Sequence, residues 1–249
     1  MILKLLSYNI RFGGRGRESL IAGVVRAVAP DLVVFQEATD TRVISRVSEE
    51  AGMPLWGARP AHSLGFVSRT EIKRHEWHYP PAARHSFLEI ELPAGARVFG
   101  LHLSARFSKW SESRRLREVN ALLEGIKAHE HGFHVLTGDF NTLAPGETLN
   151  VHQMPTWIKA LVWISGRDIK RETVRRLLDA GYADGFRALY PAVPGYTFPV
   201  WNPHARLDYV FVPTRHAARL ARLEVVTGAP EVTRASDHFP LLAHIELPD

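Results

Sequence analysis

Phe133-His134-Val135-Leu136-Thr137-Gly138-Asp139-Phe140-Asn141 is the stretch on which the fold turns. Residues 133–136 read as a short strand, and a carboxylate and an amide, Asp139 and Asn141, stand just beyond it. Upstream, Ser111 can cap a helix in which Leu116, Val119, Leu122, Leu123 and Ile126 form one apolar stripe, ending before Gly132. Before that helix comes a strand at 97–103, with His102 near its end. The opening of the chain reads in the same terms. A strand at 3–10 leads to the turn Arg11-Phe12-Gly13-Gly14, then a helix over 17–28 that Pro30 stops, then a buried strand at 32–35. A helix near 40–51 follows, and strand-like runs lie at 63–69 and 86–92. Downstream, a helix over about 168–180 carries Ile169, Val174, Leu177 and Leu178 inward, and strands return at 207–212, 223–226 and 241–247. Strand-rich halves that each carry helices predict a layered α/β sandwich.

The chain has 249 residues, 45% of them hydrophobic and 23% charged, and no Cys. Since a domain takes roughly 100–200 residues, one large domain or two small ones would fit. No repeat, low-complexity tract or linker-like shift divides the chain, so a single domain over 1–249 is expected. The lack of Cys excludes a disulfide framework, a thiolate zinc site and a cysteine nucleophile together. A formal net charge of +5 favours an anionic partner. The basic residues are uneven: Arg106, Lys109, Arg114, Arg115 and Arg117 crowd one short stretch. The first ten residues are too short for a signal segment and contain Lys4 and Asn9. No run of about 18 apolar residues occurs, so no transmembrane segment is expected. A cytoplasmic, monomeric protein is the expectation.

Polar residues gather at the strand ends. Asn9 ends the first strand, Gln36-Glu37 the second, and Asp208 opens one near 207–212. Asp237-His238 stands just before the last. Each has a local explanation. Asn9 can form a turn, Glu37 can cap the next helix, and Asp139-Phe140-Asn141 can be an Asx-turn. His102 can be a hydrogen-bonded core histidine, Asp208 can pair with Arg206, and Asp237 can be a turn acid before Pro240. Turns alone explain their joint occurrence poorly, because loops at strand ends are where α/β scaffolds carry chemistry.

Six segments carry a family resemblance: Ser7-Tyr8-Asn9-Ile10, Phe35-Gln36-Glu37, Leu101-His102-Leu103, Thr137-Gly138-Asp139-Phe140-Asn141, Leu207-Asp208-Tyr209-Val210 and Ser236-Asp237-His238-Phe239-Pro240. In this order the chain resembles the endonuclease/exonuclease/phosphatase superfamily, which includes DNase I-like and exonuclease III-like nucleases. The resemblance implies a four-layered α/β sandwich, with two packed mixed β-sheets flanked by helices. It also implies a divalent-metal phosphoesterase. In that reading Glu37 is the first metal ligand, completed by Asn9 and Asp237, with Mg²⁺ the natural ion and Mn²⁺ able to substitute. Asp139 orients or deprotonates the attacking water, and Asn141 bonds that water or a phosphate oxygen. His238 contacts the scissile phosphate, with Asp208 holding its other ring nitrogen. His102 faces the phosphate from the opposite side as a candidate to protonate the leaving group, and Arg117 and Asn120 resemble a supporting polar pair.

Specificity in such a scaffold comes from loops. Arg106, Phe107, Lys109 and Trp110 interleave charge with rings; residues 152–166 are rich in apolar and Trp side chains; Trp201 and His204 precede Asp208. Basic and aromatic side chains together suit nucleic acid with splayed bases, and that substrate is favoured. The same residues also suit a phospholipid headgroup, so a sphingomyelinase-like phosphodiesterase or an inositol-phosphate phosphatase is the alternative. A non-catalytic phosphate-binding module would have had no need of both the carboxylates and the histidines.

Overall fold

In the first strand, β1 (Ile2–Asn9), Leu3 and Leu5 point to one side and Leu6 and Tyr8 to the other, and all four are buried. A strand covered on both faces carries apolar side chains on both, as Leu3, Leu5, Leu6 and Tyr8 do here. β1 leads through α1 (Glu18–Val28) to β2 (Leu32–Gln36), which lies parallel to it, with Asn9 beside Gln36. Ala29 closes the helix in a left-handed turn, just ahead of Pro30. The Asp40 side chain then accepts a hydrogen bond from the Arg42 amide and caps α2 (Thr41–Ala51). The helix cap is therefore Asp40, not Glu37.

The computed structural model describes residues 1–81, 85–105, 109–147 and 171–248. Beyond α2 these form β3 (Leu55–Ala58), β4 (Leu64–Ser68), β5 (Arg74–His78), β6 (Phe87–Glu91) and β7 (Arg97–His102). Then come α3 (Lys109–Gly125), β8 (His134–Asp139), α4 (Glu172–Asp179), β9 (Tyr182–Asp184) and α5 (Gly185–Leu189). The last elements are β10 (Asp208–Pro213), β11 (Leu220–Val225), α6 (Val232–Ala235) and β12 (Leu241–Glu246). The strands make two six-stranded sheets, ordered β11-β12-β1-β2-β4-β3 and β5-β6-β7-β8-β10-β9. Each is mixed and holds one central parallel pair, β1 with β2 and β7 with β8.

Between the sheets, Leu3, Leu5, Val34 and Leu64 meet Leu88, Val98, Val135 and Val210 in a buried core. Outside the first sheet, α1 and α2 lay Ile21, Val24, Val25, Val43, Ile44 and Val47 on Leu6, Tyr8, Val33 and Phe35. Outside the second, α3, the residue just after it and α4 lay Val119, Leu122, Ile126, Val174 and Leu177 on Phe99, Leu101 and Leu136. The four layers are those expected from sequence.

Several boundaries differ from expectation. Ser111 lies inside α3 and does not cap it, since the helix starts at Lys109. β8 runs on to Asp139, so that carboxylate is the strand's last residue and does not stand beyond it. β3, β5 and β9 have no counterpart among the expected strands. All three are edge strands, and β5 spends Arg74, His75, Glu76 and His78 on one buried ring, Trp77. Of the helix expected at 168–180, residues 168–170 lie outside the described residues, as do Trp157, Trp163 and the apolar segment around them.

Candidate active site

Both parallel pairs deliver their carboxyl ends to one rim. Asn9 ends β1, Glu37 follows β2, His102 ends β7 and Asp139 ends β8. Antiparallel neighbours bring the rest. β10 starts where β8 finishes, with Asp208 beside Asp139. β12 starts where β1 finishes, with Leu241 beside Ser7, and so carries Asp237 and His238 to the same end. Residues more than 100 positions apart become neighbours because strand direction leaves them nowhere else to be.

Asn9 ties the two sheets together. Its Nδ2 donates to Asp139 Oδ2 at 3.0 Å and to Glu37 Oε1 at 3.2 Å, while its Oδ1 accepts from the Arg11 amide at 2.9 Å. Glu37 holds a left-handed φ of 58°, and its Oε2 accepts from the Phe12 amide at 2.5 Å. Asp139 Oδ1 accepts from the Asn141 amide at 2.8 Å. That contact is the Asx-turn, here formed by a residue of the cluster itself. Asn141, at φ 52°, turns its Nδ2 back to the Leu103 carbonyl at 2.9 Å.

His238 Nδ1 lies 2.9 Å from Asp208 Oδ2, and its Nε2 faces Asp139 Oδ2 at 3.9 Å. From the other side His102 Nε2 faces the same Asp139 oxygen at 4.0 Å. Ser236 Oγ donates to the Asn9 carbonyl and accepts from the His238 amide, which fixes this corner to β1. Asp237 is more open, its Oδ2 3.3 Å from Arg11 Nε.

These distances set the charges. Burial opposes the imidazolium of His238, but the Asp208 charge and hydrogen bond outweigh it and raise the pKa well above the ordinary value. Burial pushes the Asp139 carboxyl up; His238 pulls it down, and Asp208 pushes it up again. His102 goes the other way, lowered to about 3 by burial and by the neighbouring His85 and His238. It faces the cluster as a neutral imidazole, stacked on His85 at 5.4 Å between ring centroids.

Among the described residues one group of three donors lies close enough to hold a cation. Asp139, Asp208 and His238 each offer a ligand atom, all within 4.8 Å of one another. Asp208 and His238 already satisfy each other, however, so that trio is better suited to holding a proton. Glu37 and Asp139 stand on either side of the Asn9 side chain, which turns its nitrogen and not its oxygen to them, and Asp237 lies beside Arg11. All carry oxygen donors, the kind that hard cations select.

Other expected contacts lie elsewhere. Arg117 and Asn120 are exposed on α3, and Asn120 Oδ1 accepts from Arg176 Nε of α4 at 2.7 Å, so the structure does not bring this pair to the cluster. The buried pair one helical turn apart is instead Arg115 and Glu118. Arg115 Nη1 donates to the Ser104 carbonyl, and Glu118 accepts from the Ser104 amide and hydroxyl, which fixes the chain two residues after His102. The sequence signal was there: Arg115 and Glu118 interrupt the apolar stripe of Val119, Leu122 and Ile126. Arg106 lies outside the described residues, and Trp110 is exposed at the start of α3. Trp201 packs its edge on Phe198, and Phe198 lies 4.8 Å from the His238 ring. Arg206 does not pair with Asp208; it is buried against Asp184 and Glu147. Arg11 and Phe12, read from the sequence only as part of a turn, are bonded to Asn9 and Glu37.

Comparison with known proteins agrees with the fold. No protein of curated function matches the chain. Among solved structures, the AP endonuclease from Archaeoglobus fulgidus superposes with a TM-score of 0.76 at 18% identity, covering 98% of this chain and 100% of that one. The 3′ phosphatase NExo from Neisseria, bound to a product DNA hairpin, gives 0.73 at 20% identity over 98% and 100%. Humanized TDP2 of D. rerio gives 0.69 at 17% identity over 99% of each chain. At these identities the likeness is one of fold. The sequence itself matches the model of the Endonuclease/Exonuclease/phosphatase family over residues 6–238, so nearly the whole chain, cluster included, belongs to that family.

Proposed function

We propose that this chain hydrolyses phosphodiesters in nucleic acid, by in-line attack of a water, with a divalent cation bound. The observation that carries the reading is Asp139. It stands between two imidazoles and is tied through Asn9 to Glu37. A carboxylate whose proton affinity is raised toward neutrality suits the task of orienting and deprotonating a water. His238, kept cationic by Asp208, neutralises a non-bridging phosphate oxygen. His102, neutral, offers a hydrogen bond from the opposite side and is poorly suited to donate a charge-relieving proton. Asn141 fixes Asp139 and the end of β7. Glu37, Asn9 and Asp237 would hold the cation, Mg²⁺ by preference with Mn²⁺ accepted. Such a cation neutralises charge that develops on the phosphoryl oxygens.

Nucleic acid is favoured by the net charge of +5 and by the exposed Trp201 ring beside the cluster. The matched structures are of proteins named for DNA chemistry, one with a DNA hairpin bound. Among the described residues no helix is long and apolar enough to cross a membrane.

The test is a panel of single-stranded DNA, abasic-site duplex, RNA, sphingomyelin and inositol phosphates, assayed with Mg²⁺ or Mn²⁺ and with EDTA. Hydrolysis of a nucleic acid that EDTA abolishes is expected, and Glu37→Gln should demand more Mg²⁺ for half-maximal rate. Activity that survives chelation and dialysis, or that is confined to the lipid arm, refutes the reading.

A further inference from the structure

Arg11 and Phe12, consecutive and neither of them glycine, hold φ values of 51° and 49°, a region that side chains bearing a Cβ rarely adopt. The backbone beneath them is pinned. The Arg11 amide donates to Asn9 Oδ1, the Phe12 amide to Glu37 Oε2, and the Gly13 amide to the Glu37 carbonyl. Behind the turn, a Cβ on Gly13 would stand 2.9 Å from Thr39 Oγ1, so the loop is closed on its inner side. The Phe12 ring is nevertheless 77% exposed. Burial of the ring therefore does not offset the backbone strain, and a single exposed phenyl would be unremarkable only on a relaxed loop.

The ring belongs to a connected strip. The Arg11 guanidinium lies 5.4 Å from the Phe12 centroid, and Arg11 Nε reaches Asp237 Oδ2. The Asp237 carbonyl accepts from the Val200 amide at 3.0 Å, and Trp201 follows with its ring 67% exposed. The Phe12 ring and the Arg11 guanidinium thus lie beside Asn9, Glu37 and Asp237, and the exposed Trp201 follows the residue whose amide bonds the Asp237 carbonyl.

We infer that this strip receives an unpaired nucleobase beside the scissile phosphate, with the Phe12 ring as its stacking platform. The inference rests on the nucleic-acid reading above and narrows it to single strands, frayed ends and flipped nucleotides. A flat ring takes any base by its π-face but only once that base has left its own stack, and the adjacent cation suits the flanking phosphate. Arg11 sits in the middle of the strip, where a lipid-inserting patch would need more apolar surface.

The test uses the Asp139→Asn protein and an oligonucleotide carrying 2-aminopurine, whose fluorescence falls when it stacks on an aromatic ring. Quenching is expected on binding, stronger for the single strand than for the duplex. Phe12→Asn removes the ring while keeping a residue that tolerates positive φ. In the same background it should lose the quench and weaken binding roughly tenfold. Phe12→Trp should restore both. Thermal melting of Phe12→Asn at an unchanged or higher temperature shows that the loss is not one of folding. Unchanged quenching and affinity in Phe12→Asn, with DNA still bound, overturns the inference and leaves the nucleic-acid reading standing. No oligonucleotide binding by either protein overturns both. Loss of retention on sphingomyelin vesicles in Phe12→Asn, with DNA binding unaltered, overturns the inference in favour of a lipid contact.

Discussion

At Asp139 burial raises the carboxyl pKa, His238 lowers it and Asp208 raises it again, and the net direction is up. A carboxyl raised on folding binds its proton more tightly in the native state. Its contribution to stability is therefore present at low pH and lost as pH rises from the unfolded value, about 4, through the raised one. The metal-free Asp139→Asn protein should melt no lower than the parent at neutral pH and lose less stability across that window. Its turnover should fall by about 10²-fold or more, the usual scale for a positioned acid–base group. Melting curves between pH 4 and 8 and kcat on one substrate check both halves; a destabilised variant would mean that the hydrogen bonds from Asn9 and Asn141 outweigh the burial. Asp208→Asn removes a negative charge that favours the protonated form of both Asp139 and His238. Both pKa values then fall. If Asp139 works deprotonated and His238 protonated, both limbs of the kcat/KM profile move to lower pH, and an unshifted alkaline limb would separate Asp208 from His238.

Two elements, β7 and β8, meet at Leu101 and Gly138, one residue before His102 and Asp139. Gly138 holds φ 145°, and a Cβ there would stand 1.9 Å from the Leu101 carbonyl oxygen. Neither strand can yield, because β8 is flanked by β7 and β10. Gly138→Ala should destabilise by about 2–4 kcal/mol, and kcat of the surviving fold should drop as the two side chains part. On the neighbouring helix, Arg115 holds Glu112 in the interior by a 2.8 Å ion pair. Arg115→Leu leaves that carboxylate without its cation and should cost about 3–5 kcal/mol, read by denaturant titration. Arg117→Leu, at an exposed position, should cost almost nothing. Equal costs would mean that α3 faces the sheet differently.

For the whole molecule, the site has no single supporting layer. Asn9, Glu37 and His238 come with one sheet, and His102, Asp139 and Asp208 with the other, so the core between the sheets sets their distance. Leu5, fully buried there, should cost about 2–5 kcal/mol when cut to Ala, with lowered Tm and little change in kcat well below it. Binding of single-stranded DNA by the Asp139→Asn protein should weaken with salt, by about 0.7 in log–log slope per phosphate contacted. A flat response would mean that the positive charge contacts no phosphate.

Residue types and strand ends were legible in the chain itself. Alternation and apolar runs reported β1, β2, β4, β6, β7, β8 and β12 because strands buried on both faces must be apolar almost throughout. The six segments reported the cluster for a related reason: backbone direction puts the last residue of one strand and the first of its antiparallel neighbour at one rim, so chemistry must be written at those positions. The edge strands β3, β5 and β9 were illegible, since β5 is written in Arg, His and Glu around one Trp, and β3 and β9 are only four and three residues long. Residue type alone did not choose between Arg115–Glu118 and Arg117–Asn120, although the apolar stripe of α3 already placed Arg115 and Glu118 on the inner face. Both pairs are polar and three apart, and the face that α3 turns toward the sheet decides which is buried. Partners across the rim, Asn9 with Asp139 and Asp208 with His238, exist because two sheets pack face to face. Nothing local in the sequence encodes a distance between residues 130 positions apart, and the tertiary structure alone sets the 3.0 Å between Asn9 and Asp139.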